Sequence, residues 1–183
     1  MKYWSKSALS VYRYLEQMAN TIDKIVLDSG KNSNHQNVQK YQTTLYQTGK
    51  MIELIDRKRK IINLKIAVED SLQHLSKKDR RILVLVFIDG VKNDLVTELI
   101  EVSPRTFFRR KARALEKFSE QMEKYGYNLD FFEKDYVSEK WLQSVYQECV
   151  QKYNKEEERL DSNLVNRMIK EVSKYTLQNR CCI

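Results

Sequence analysis

One proline, at position 104, and four glycines are the only strong helix breakers in 183 residues. Proline removes a backbone donor and glycine loses the most freedom on ordering, so between these few positions a helix can run almost unbroken. Apolar residues recur at three and four through much of the chain, the spacing of one helix face. Ala8, Val11, Tyr12, Leu15, Met18, Ala19, Ile22, Ile25 and Val26 form the first such stripe, which predicts a long helix ending in a polar loop over residues 28–34. A second long helix is expected from Val38 or Tyr41 to Leu72. In it Leu54, Ile61, Val68 and Leu75 recur every seven residues, and Ile55 and Ile62 widen the stripe. Gly49 interrupts its early part at about 1 kcal/mol relative to alanine and is the natural place for a bend. The two helices pair most simply as an antiparallel hairpin, because the first supplies a ready partner for the second. A seven-residue repeat of this length also allows a homodimer through the N-terminal helices.

Shorter elements come next. Ser76-Lys77-Lys78-Asp79 has the start chemistry of a helix, a serine followed three residues on by a carboxylate. The apolar run from Ile82 to Ile88 gives its body, and Asp89-Gly90 a stop suited to a left-handed cap. A short helix is expected from Asn93 to Ile100, with Leu95, Val96, Leu99 and Ile100 apolar. After the turn Glu101-Val102-Ser103, a basic helix begins, carrying six cations against one acid from Ser103 to Phe118. Ser103 can cap its free N–H groups, and Pro104 at the first helical position gives up a donor that would have no partner. Phe107, Ala114 and Phe118 share one face, while Arg105, Arg109 and Arg113, four apart, point elsewhere. Helix, glycine stop, short helix, tight turn and basic helix is the order of a helix-turn-helix, whose last helix can enter a DNA major groove.

Residues 72–118 resemble the promoter-reading region 4 of bacterial sigma-70 factors. The matching residues are Leu75, Asp79-Arg80-Arg81-Ile82, Asp89-Gly90, Val102-Ser103 with Thr106-Phe107, and Arg113-Ala114-Leu115. The string from Ser103 to Leu115 is also similar to the ArpU/RinA-type transcription regulators of phages and mobile elements. Two positions depart from the pattern: Glu101 stands where the turn often has glycine, and Thr97 where the middle helix usually has a small residue. The resemblance implies double-stranded DNA as partner, with RNA polymerase as a second. It implicates Ser103, Arg105, Thr106, Arg109, Arg110 and Arg113 in DNA contact. Among these, Arg105 and Arg109 suit base edges, because a planar guanidinium bonds guanine bidentately. Ser103, Arg110, Arg113 and Lys92 suit phosphates, which give position rather than sequence. Phe108 is available for a thymine methyl or for packing on the tail.

A net charge of +8 favours a polyanionic partner. Nothing resembles a phosphate-binding glycine loop, a nucleophile elbow or paired metal-ligand spacing, so the reading is of a protein that is not an enzyme and takes no cofactor or metal. His35 falls in a polar loop, and His74 at a helix junction suits a surface or capping role. The run Glu156-Glu157-Glu158 reads as a solvated helix face. Cys149 lies on an apolar stripe and suits a buried thiol, and Cys181-Cys182 have no metal or disulfide spacing. The first helix lacks the features of a signal peptide and no run reaches membrane-spanning length, so a cytoplasmic chain without membrane partners is expected.

The expected architecture is all-α: an N-terminal helical hairpin over residues 1–71, the helix-turn-helix over 72–126 and a helical C-terminal region over 127–183. In that last region one helix is expected over 138–153, on the face of Trp141, Leu142, Val145, Tyr146, Cys149, Val150 and Tyr153. Another starts near Asp161, with Leu164, Val165, Met168, Val172 and Tyr175. A sequence-specific DNA-binding transcription regulator is the functional expectation. A complete sigma factor, and a helical protein-interaction adaptor that does not read DNA, are the rivals.

Overall fold

A computed structural model describes residues 3–32 and 40–151, and among them all regular structure is helical. The expected last helix, the acidic run 156–158, His35, and Cys181 with Cys182 lie outside the described residues. Helices α1 (Tyr3–Asn32) and α2 (Lys40–Gln73) come first, then α3 (Lys77–Leu83), α4 (Asn93–Leu99), α5 (Pro104–Lys124) and α6 (Leu129–Asp135). A seventh, α7, is helical over 140–151. None of the described helices is long and apolar enough to cross a membrane.

α1 and α2 run antiparallel, and three cross-links fix their register. Lys58 Nζ donates to Asp23 at 2.6 Å, Lys65 Nζ to Glu16 at 3.0 Å, and the Tyr12 hydroxyl to Glu69 at 2.6 Å. Each step up α1 is matched by an equal step down α2. Burial, and then the bond to Glu69, push the Tyr12 phenol up to about 12. Between the helices Ala8, Leu15, Ala19 and Ile22 meet Ile61, Leu64, Val68 and Leu72, all buried. Each fully buried leucine, isoleucine or valine here contributes about 1.5–3 kcal/mol, each alanine less.

The structure corrects three details of the sequence reading. Ile55 and Ile62 do not widen the buried stripe; both are exposed, as is Ile25 of α1. The first helix does not stop at Asp28 but continues to Asn32. α2 passes through Gly49 as one uninterrupted element.

The main core does not end with the hairpin. Ala114, Leu115, Phe118 and Met122 of α5, Phe132 and Tyr136 at α6, and Leu142 of α7 belong to it, so it crosses the limits at 71/72 and 126/127 drawn from sequence. Glu139, nearly inaccessible, takes both oxygens to Arg57 Nε at 2.8 and 2.9 Å and one to Trp141 Nε1 at 2.6 Å. The Tyr136 hydroxyl donates to the Lys60 carbonyl at 3.0 Å, and Lys60 Nζ returns a bond to the Asp135 carbonyl at 2.8 Å. The start of the C-terminal region is thereby tied to the middle of α2. Cys149 is a buried free thiol on α7.

A second, smaller core holds Ile82, Val96 and Phe107, with Leu85, Val86, Val91, Ile100 and Val102 packed around it. The apolar run after Arg81 serves both cores: Leu83, Phe87 and Ile88 face the main one, Ile82, Leu85 and Val86 the small one. A regular α-helix would leave part of such a run on a solvated side. Here the backbone widens into a π-helical turn over Val84–Ile88, with the Asp89 N–H bonded to the Val84 carbonyl at 2.9 Å. Such an insertion rotates the residues downstream of it and redistributes side chains between neighbours.

Candidate nucleic-acid interface

α5 spans both cores. Its first turn is fixed by Ser103, whose hydroxyl accepts from the Thr106 N–H at 3.4 Å and donates to the Thr106 hydroxyl at 2.9 Å, and by Pro104 behind it. Phe107 then plugs the small core, and from Ala114 onward the helix is held by the main core.

On the outward side, Arg105, Arg109 and Arg113 follow one another at steps of four, each turned about 40° from the last. These three and Arg110 are exposed and make no ion pair with any described residue. The other two cations of the segment are occupied. Lys111 Nζ donates to Asn93 at 3.2 Å and lies over the rings of Phe87 and Phe107 at 5.3 and 5.9 Å. Lys117 donates to Asp79 at 2.7 Å. Asp79 is partly buried, which opposes its ionisation, but the bonds from Lys117 and Ser76, with the nearby charges of Lys117 and Arg113, prevail and hold its carboxyl below the ordinary value. Lys111 ties α5 to the start of α4, and Lys117 ties it to the start of α3.

Charge changes sign along this outward face. After Arg113 the same side carries Glu116 and Glu120, both exposed. The positive end of the helix dipole adds to the cationic half. The outward side is therefore strongly positive over the first three turns of α5 and of mixed charge after them.

α4 crosses before α5, with Val96 inserted into the small core. It closes in a paired motif: the Glu101 N–H bonds the Glu98 carbonyl at 3.1 Å and the Val102 N–H the Thr97 carbonyl at 3.2 Å. Glu101 adopts φ 52°, so the left-handed turn is kept despite a side chain that disfavours it. α5 ends in the same motif, with Gly126 at φ 84° in the equivalent place. Thr97 is half-buried, its hydroxyl bonded to the Asp94 carbonyl at 2.6 Å. Gly90, at φ 69°, ends the wide turn after α3, and a Cβ there would lie 2.8 Å from Arg13 Nη1 of α1.

The residues singled out from sequence are not all in one place. Arg109 and Arg113 line a surface hollow that also receives Lys6 from α1. Arg110 turns to a different hollow, shared with Lys78, Arg81, Leu99 and Glu101. Ser103 and Thr106 bond to each other in the cap. Lys92 is exposed at the N-terminus of α4 without a side-chain capping bond. Phe108 is exposed and rests edge-on against Phe107 with centroids 5.2 Å apart. His74 is exposed, with Nδ1 2.8 Å from the Asp70 carbonyl and 3.2 Å from the Tyr125 hydroxyl. Sequence reasoning missed Lys6, Lys78 and Arg81 as members of these hollows, the first of which is also lined by Glu116 and Glu120. Arg81 adjoins the recognised helix start, but nothing in sequence links Lys6 to Arg109, more than a hundred residues on. The contact of the Ser5 and Ser119 hydroxyls, where α1 meets α5, brings it there.

Comparison of the chain with models of known protein families, with curated proteins and with solved structures finds no match.

Proposed function

We propose that this chain is a sequence-specific DNA-binding transcription regulator in which α3, α4 and α5 act as a helix-turn-helix similar to sigma-70 region 4. One observation carries the reading: four arginines stand exposed on the half of α5 packed on the small core. None is in an ion-pair contact with a described acid, and only Arg113 is close enough to feel one, the Asp79 already bonded to Lys117. A surface helix that needed only solubility would have no reason to gather five of its seven cations into the first three turns and all three of its acids into the turns after them. In this reading the N-terminal half of α5 enters the major groove of double-stranded DNA. Arg105 and Arg109 contact base edges, while Arg113, Arg110, Ser103 and Lys92 hold phosphates. RNA polymerase is the second partner proposed, from the same resemblance.

Selection from fragmented genomic DNA, followed by salt titration on the enriched fragment, tests the proposal. Affinity is expected to fall steeply with salt, and Arg113→Ala to flatten the log–log slope by about 0.9. Arg105→Ala is expected to cost about 1–3 kcal/mol on the preferred site and to relax discrimination there. Enrichment of no fragment defeats the operator reading and leaves the adaptor. Promoter opening with core polymerase and no other sigma factor would make the chain a complete sigma factor instead.

A further inference from the structure

α2 has a second apolar face that α1 does not cover. Leu45, Ile52, Ile55, Ile62 and Ile66 are 75, 56, 53, 36 and 48% exposed, although all five are aliphatic. They follow a strict heptad: Leu45, Ile52, Arg59 and Ile66 are seven apart, and Ile55 and Ile62 come three after Ile52 and Arg59. That spacing puts them in one line, on the far side of the helix from Ile61, Leu64 and Val68. The line extends over roughly 32 Å of helix axis. An exposed line of five aliphatic side chains, interrupted by Arg59, is not a usual solvent face.

We propose that this stripe is the seam of a homodimer, in which α2 of one copy packs antiparallel against α2 of a second copy. The proposal goes beyond DNA recognition and does not depend on it. Five of the seven core positions from Leu45 to Ile66 are aliphatic, Thr48 and Arg59 being the other two, and the repeat matches the periodicity that supercoils two helices. Two such stripes face to face bury on the order of 1,000 Å² in total, the floor for a specific interface. The residues beyond α7 are the competing occupant; packed as one continuous helix, their apolar stripe from Leu164 to Tyr175 would span about 17 Å. That leaves nearly half of the line uncovered.

Charge selects the orientation. In a parallel pair in register, Arg59 would face Arg59 at a core level. With the two-fold axis between Ile52 and Ile55, an antiparallel pair sets Ile52 against Ile55, Leu45 against Ile62, and Arg59 against Thr48. Arg59 is already held at its own edge by Asp56, 3.2 Å away, where the side chain can reach solvent.

Light scattering and sedimentation of the full chain between about 1 and 100 µM cover the range in which a specific dimer shows concentration dependence. A dimer is expected. Ile55→Glu should raise its dissociation constant at least about a hundredfold, because two such side chains per dimer lose burial, while Ile55→Leu leaves it nearly unchanged. Helical circular dichroism should be retained, since the site lies outside both cores. Should Ile55→Glu lose that signal, Ile52→Lys makes the same test from another heptad. A dimer that survives both charged substitutions overturns the seam, and so does a wild type that is monomeric throughout. A monomer whose melting temperature falls with Ile55→Glu means that the chain covers the stripe itself. Mixing wild type with Arg59→Glu should give a statistical distribution; strong preference for the mixed pair would overturn the antiparallel register.

Discussion

The two halves of α5 carry opposite charge and rest on different supports. From Ala114 to Met122 the helix is gripped by the main core, where α1, α2, α6 and α7 all contribute, and its solvent side holds Glu116 and Glu120. From Pro104 to Arg113 it has Phe107 in a core of three fully buried residues, and its solvent side is arginine. A side chain can be left unpaired only where the scaffold does not need it, and the difference separates what holds the fold from what is free to bind. The main core provides stability; the small core sets the direction in which the arginines point.

The largest effects should come from the two phenylalanines. Phe118→Ala is expected to lower global stability by about 3–5 kcal/mol in urea unfolding. Phe107→Ala should cost toward the low end of that range and act locally. Amide protection should drop over α4 and the first turns of α5 while α1 and the middle of α2 keep theirs. If both variants lose protection uniformly along the chain, the two cores are one cooperative unit and the distinction fails.

Next in size is the link between the cores. Gly90→Ala should destabilise by about 1–2 kcal/mol, chiefly through the left-handed backbone, because the nearest obstacle is the movable tip of Arg13. The opposite sign is expected at the next turn. Glu101→Gly relieves a side chain at φ 52° and should stabilise by about 0.5–1 kcal/mol, net of the freedom glycine gains when unfolded. Glu101 and Gly126 close the same motif, so Gly126→Glu is a direct control: it should destabilise by a similar amount. Equal responses of both sites in one direction would mean that neighbouring contacts, not backbone conformation, decide these turns.

Much of this arrangement is legible in the sequence. Ser103-Pro104 marks the start of α5 because capping and a missing donor are local chemistry. The heptad through Leu54, Ile61 and Val68 correctly identifies a face of α2 that packs inward. Periodicity reports that a face exists, however, not which partner covers it. Ile55 and Ile62 belong to a different line on the same helix, and only the position of α1 separates the two. The division of residues 82–88 between two cores depends on a π-helical turn, which has no signature in an unbroken apolar run. The meeting of Lys6 with Arg109 and Arg113 depends on helix packing across most of the chain. Expectations built on adjacency held better than those that required knowing what a surface faces.

The smallest effect concerns the contact that spans the boundary itself. Asp79, at the start of α3, is bonded to Lys117, on the half of α5 held by the main core. Its carboxyl titrates below its ordinary value of 3.8 in the folded chain, so the folded state holds the ionised form more tightly than the unfolded one does. The contribution to stability is therefore present in full above that ordinary value and is lost as pH falls through the lower, folded one. Lys117 is nearly half exposed, so solvent screens the pair and about 0.5 kcal/mol is the expected scale. Unfolding measured from pH 6 down to about pH 2 should show wild type approaching Asp79→Asn at the acid end, the two differing most near neutrality. A gap that stays constant across the range would assign the effect of Asp79 to its place in the first turn of α3, and the tie between the halves of α5 would then rest on Lys111 and the shared apolar run alone.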